Sequence, residues 1–175
     1  MTARFPLATV NTMLKTAGAA ALAMGGLTPT AKGIYSDLVR MYTTSIPFRG
    51  LMLYKGTMPT QSELDAIDGT AYATLASSFR YTDLLIQFAP TSAPSYVNDA
   101  ALFTLVPAAP IQAGTAAWFL FGAFNNSGTT DNHVYICGSV GTTGADLNIL
   151  TTTLTAGQLY RFPQFGLQLP KKLVF

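Results

Sequence analysis

His133 is the chain's single histidine, and acid–base or nucleophilic catalysis needs a poised base beside a nucleophile or electrophile. It falls in the turn-rich run FNNSGTTDNHV, where it reads as an ordinary hairpin residue. Two carboxylate pairs, Asp65 with Asp68 and Glu63 with Asp65, have the residue types of glycosidic hydrolysis. On a short surface helical turn capped by Ser62 they read instead as solvated side chains. Asp131, Asn132 and Asp146 offer oxygens to Ca²⁺, without the spacing of an EF-hand or a dense acidic loop. The GTTG run at 141–144 is followed by no Lys-Thr or Lys-Ser, so it lacks the cation and hydroxyl of a phosphate-cradling loop. Cys137 has no second cysteine to pair with, and its neighbours in VYICGSV mark it as a buried, inert thiol. The expectation is a protein that is not an enzyme, with no catalytic residue, no cofactor, no metal ligand and no small-molecule substrate.

Aromatic residues are the remaining chemical resource. Tyr35, Tyr42, Tyr54, Trp118, Tyr135 and Tyr160 have rings able to stack on sugars at a receptor-binding face. Packing in a core or between subunits is the reading the sequence favours.

The composition points to association. Of 175 residues only 10% are charged and 49% are hydrophobic, against about 25% charged in an average soluble protein. Repulsion and hydrated Lys and Glu side chains keep monomers apart, so a surface this poor in charge is expected to be covered by neighbouring subunits. Residues 1–50 carry Arg4, Lys15, Lys32, Arg40 and Arg49 against Asp37, a balance of +4, whereas residues 51–170 balance at −4. Basic ends and an acidic body have the charges for head-to-tail docking, although scattered basic residues are commonly just solvated. A basic run suited to nucleic acid is missing.

Stepping along the chain, residues 7–25 predict a helix with Leu7, Val10, Leu14, Ala17, Ala21 and Met24 on one face, stopped at Gly25-Gly26. Arg4 and Lys15 before TAGAAALAMGG give a superficial likeness to a signal peptide, but the apolar stretch is short and no clean small-x-small site follows. No run approaches the roughly 18 apolar residues of a membrane span. LTPTAKG is a linker, and IYSDLVRMYT at 34–43 suits a helix slightly better than a strand. From residue 51 short apolar runs alternate with Pro, Gly, Ser, Thr and Asn, the texture of an antiparallel β-sandwich, jelly-roll-like. The expected strands are LMLYKG, YATLASS, DLLIQFA, LFTLVPA, AAWFLFGAF, HVYICGSV and FGLQLP. AAWFLFGAF is apolar on both alternations, which predicts burial by the core on one face and by a partner subunit on the other. Asn, Gly and Ser at 125–132 predict a long hairpin loop. Division falls into a partly helical arm, residues 1–50, and a β-sandwich domain, residues 51–175.

Four segments in order carry a resemblance. They are LMLYKGTMPTQSE at 51–63, GTAAWFLF at 114–121, GSVGTTGADLNIL at 138–150, and AGQ at 156–158 leading to FGLQLP at 165–170. This pattern resembles minor virion structural proteins of tailed bacteriophages, over about residues 51–170. The first 50 residues and the loop around His133 fall outside it. GSVGTTGADLN reads as a shape motif, in which Gly138, Gly141 and Gly144 allow a tight turn and Asp146 accepts hydrogen bonds from backbone amides. The resemblance implies a virion location and a non-enzymatic subunit that binds other virion proteins and copies of itself, with no nucleic acid and no membrane as partner. Tail or baseplate is the favoured placement; capsid decoration, or a receptor- or carbohydrate-binding module on the particle, is the alternative.

Overall fold

The β-rich texture of the second half is realised in the computed structural model, which describes residues 48–60, 82–91, 95–97, 100–124, 136–162 and 165–168. The expected arm helices at 7–25 and 34–43, the helical turn after Ser62, the strand YATLASS and the hairpin loop at 125–132 lie outside the described residues. The described part is mainly β and largely antiparallel.

Ten strands follow one another: β1 (Phe48–Tyr54), β2 (Leu84–Phe88), β3 (Ser95–Val97), β4 (Ala100–Phe103), β5 (Gly114–Thr115), β6 (Trp118–Phe124), β7 (Ile136–Gly141), β8 (Leu147–Asn148), β9 (Thr153–Leu154) and β10 (Phe165–Gln168). One sheet runs β2-β1-β6-β7-β8, a second β10-β4-β3, and β5 pairs with β9. The β1–β6 ladder is the longest, from Phe48 opposite Phe124 to Tyr54 opposite Trp118. Both strands are built of large apolar residues that favour a pleated, buried surface.

Alternation sorts these residues onto two faces. Leu51, Leu53, Phe119, Phe121 and Ile136 share one core cluster with Phe103, Leu105, Leu154 and Phe165. Phe103 from β4 meets Phe121 edge-on at 4.9 Å, and Phe165 from β10 lies 4.7 Å from the same ring. Such side chains contribute about 1.5–3 kcal/mol each through burial. On the opposite alternation Met52, Tyr54, Trp118, Leu120 and Cys137 are also buried. Tyr54 and Trp118 stack at 4.1 Å with their rings 7° from parallel, and the indole Nε1 donates to the Lys55 carbonyl at 3.1 Å. The expectation that a partner subunit must cover this second face is therefore corrected, because the residues are buried in a single chain.

Strand boundaries also depart from expectation in the run LFTLVPA. Only its first residues belong to β4. Beyond Phe103 there are isolated bridges, Leu105 with Pro90 and Ala108 with Tyr160. Pro107 and Pro110 lack the amide that a continuous ladder needs. The same segment instead closes the outer edge of β2. Val106 N donates to the Ala89 carbonyl at 2.9 Å and Ile111 N to the Leu85 carbonyl at 2.7 Å. Gln112 Nε2 reaches the carbonyls of Thr82 and Leu84 at 2.7 and 2.9 Å, while its Oε1 accepts from Lys55 Nζ at 2.9 Å. This arrangement covers a row of strand groups that would otherwise invite pairing with another chain.

Candidate functional site

The glycine-rich segment 138–148 is the most distinctive stretch of sequence, and its geometry is a brace. β7 and β8 run parallel, with Val140 opposite Leu147 and Gly141 opposite Asn148. Parallel neighbours ordinarily need a crossover of about a dozen residues; here the chain returns within residues 142–146. Asp146 makes that return hold: its Oδ2 accepts from Ser139 N at 2.9 Å and from Ser139 Oγ at 2.8 Å. The Asp146 amide donates back to Ser139 Oγ at 3.1 Å. Gly144, at φ +68°, supplies the left-handed residue the turn requires. Gly138 has a different role from the turn residue expected. It lies buried in β7, where a Cβ would come 2.7 Å from Phe119 Cε1 and 2.9 Å from Asp146 Cβ, so its absent side chain lets an aromatic ring and the returning loop close over the strand.

Beside this loop opens a cleft of about 490 Å³. Leu53, Phe88 and Leu154, all buried, line it. Ile149, Tyr160 and Phe162 are half-buried there, and Phe162 meets Phe88 edge-on at 4.8 Å. Thr142, Asn148, Leu150, Thr151 and Arg161 complete the lining from exposed positions. Tyr160 is placed by a reciprocal backbone pair with Ala108, at 2.8 and 3.1 Å. Its hydroxyl accepts from Thr155 N at 3.0 Å across the Ala156-Gly157 turn.

Most polar groups of the cleft are occupied by the protein itself. Asn148 Oδ1 accepts from Ala145 N at 3.2 Å and its Nδ2 donates to the Ala145 carbonyl at 3.3 Å. Thr151 Oγ1 donates to the Thr153 carbonyl at 3.4 Å. Arg161 differs, having no hydrogen bond or ion pair among the described residues.

His133, Glu63, Asp65, Asp68, Asp131, Asn132, Tyr35, Tyr42 and Tyr135 lie outside the described residues. Asp146 is committed to Ser139. Among the described residues no group of three or more His, Cys, Asp or Glu side chains is arranged to hold a metal ion, and Cys137 is buried and in no disulfide. Tyr54 and Trp118 spend their faces on each other inside the fold. Sequence reasoning did not find the cleft, whose walls come from β1, β2, Thr142 and the stretch 148–162. Arg161, a lone cation in LYRFP, was the one visible signal.

Comparison of the chain with protein-family models, with curated proteins and with solved structures gives no match.

Proposed function

We propose that the chain is a non-enzymatic structural subunit of a tailed-phage virion, whose work is to bind and stabilise neighbouring subunits. The observation that carries this reading is apolar exposure on a chain poor in charge. Ile111 is 69% exposed, Leu159 56% and Val106 44%, and Leu150 stands fully in solvent, while charged residues total 10%. Side chains of this kind become stabilising when a neighbour removes them from water, at about 25 cal/mol per Å² of apolar area. The sequence segments at 51–63, 114–121, 138–150, 156–158 and 165–170, which follow one another in that order, support the virion context by resemblance.

In this reading the sheets β2-β1-β6-β7-β8 and β10-β4-β3 pack as a sandwich through Phe103, Phe121 and Phe165, and the residues ahead of β1 form an arm that reaches adjoining chains. Tail or baseplate is the preferred placement, with capsid decoration as the alternative. Receptor binding through Tyr54 or Trp118 has less support, since both rings are buried. Reconstruction of intact particles by cryo-electron microscopy tests the proposal, with density for this chain at an interface expected. Deletion of residues 1–33 is expected to abolish incorporation while the β domain stays folded. Absence of the chain from purified particles would overturn the reading, and normal incorporation after the deletion would remove the arm from it.

A further inference from the structure

The cleft beside the 138–148 loop has the chemistry of a ligand site that the assembly role does not require. Its volume lies in the range of small-molecule pockets, about 300–1,000 Å³, and such pockets are mostly apolar with a few polar groups that orient the ligand. Half-buried Ile149 and Phe162 and exposed Leu150 present its apolar and aromatic surface, over a floor of Leu53, Phe88 and Leu154 that belongs to the protein core. A sugar would need several unpaired donors and acceptors, yet Asn148, Thr151 and the Tyr160 hydroxyl are bonded within the chain. Among the described residues no carboxylate lines the cleft, so a cationic ligand finds no counter-charge. Among the described lining residues, what is uncommitted is the Thr142 hydroxyl and one guanidinium, Arg161, a group whose planar fork of donors matches a carboxylate.

We propose that this cleft binds a single-chain anionic amphiphile, a medium-chain alkyl carboxylate, with the alkyl chain against Ile149, Leu150 and Phe162 and the carboxylate at Arg161. The inference is independent of the virion reading, because it concerns one chain in solution.

The full chain, titrated with the fluorescent probe dansyl-undecanoate and then with competing decanoate, decanol or decyltrimethylammonium, tests it. Decanoate should displace the probe best, decanol roughly fivefold less well, as expected for one exposed charge contact, and the ammonium least. Arg161→Gln should erase the advantage of decanoate over decanol, and Arg161→Lys should keep it. Leu150→Asp, at a fully exposed position on the cleft lining, should weaken decanoate selectively with the near-ultraviolet circular dichroism unchanged. Equal displacement by all three head groups, no saturable binding of the probe, or an unaltered preference in Arg161→Gln would each overturn the proposal. So would binding to phosphatidylglycerol vesicles without binding of the monomeric probe, which would assign the cleft to a membrane surface. Incorporation into particles is a separate readout, so either proposal can fail alone.

Discussion

Asp146 shows how a carboxylate with the outward marks of a ligand can be consumed by structure. Its Oδ2 gathers the amide and the hydroxyl of one strand residue, Ser139. Replacing it by alanine strands the Ser139 amide in a half-buried position, and leaving such a group unpaired costs about 1–3 kcal/mol. Asp146→Ala is therefore expected to lower the denaturant midpoint, and Asp146→Asn, which keeps an acceptor oxygen, to lower it less. Gly138→Ala is expected to be as damaging for the opposite reason. The new methyl group meets the Phe119 ring and the Asp146 Cβ, and overpacking of this kind costs about 1–3 kcal/mol. Thermal unfolding of Gly138→Ala alone and combined with Phe119→Leu checks the cause, since the smaller, flexible side chain should restore part of the loss.

The clasp over β2 shows the same economy between elements. Gln112 ties the carbonyls of Thr82 and Leu84 to the chain that crosses them, and Lys55 holds Gln112 in turn. Gln112→Ala is expected to destabilise by about 1 kcal/mol and to speed hydrogen exchange at the Ile111 amide, measured by nuclear magnetic resonance. Elements of this sort mark where the sequence stops being readable. β1, β2, β6 and β10 were legible because their runs of Leu, Ile, Phe and Trp commit them to a buried sheet whatever surrounds them. β5, β8 and β9, each a pair of residues such as Gly114–Thr115 or Thr153–Leu154, carry no periodicity; their pairing is imposed by distant partners. The segment 102–108 looked like a strand because apolar content was visible and the geometric effect of its prolines was not. Asp146 was legible as a hydrogen-bond acceptor in a glycine loop. The cleft was not, since Leu53, Phe88 and Arg161 are brought together only by tertiary packing.

At the scale of the whole molecule, the exposed apolar residues set the expected behaviour in solution. Ile111→Lys, Leu150→Lys and Leu159→Lys should leave thermal stability nearly unchanged, because exposed positions lose little packing. The combined variant should associate less than the parent in sedimentation velocity at equal concentration, because added like charge opposes self-contact. Unchanged association would mean that these side chains are not the contact surface. The stacked pair behind the sheet offers a way to follow the chain through all such changes. Trp118 is the one tryptophan in the sequence, shielded from water, flat against Tyr54 and tied through its nitrogen to Lys55. Its emission therefore reports from a single locus at one end of the longest ladder. A blue-shifted spectrum that moves to the red in one step would time-stamp the opening of β1 from β6, giving this molecule a built-in optical clock for unfolding and for assembly.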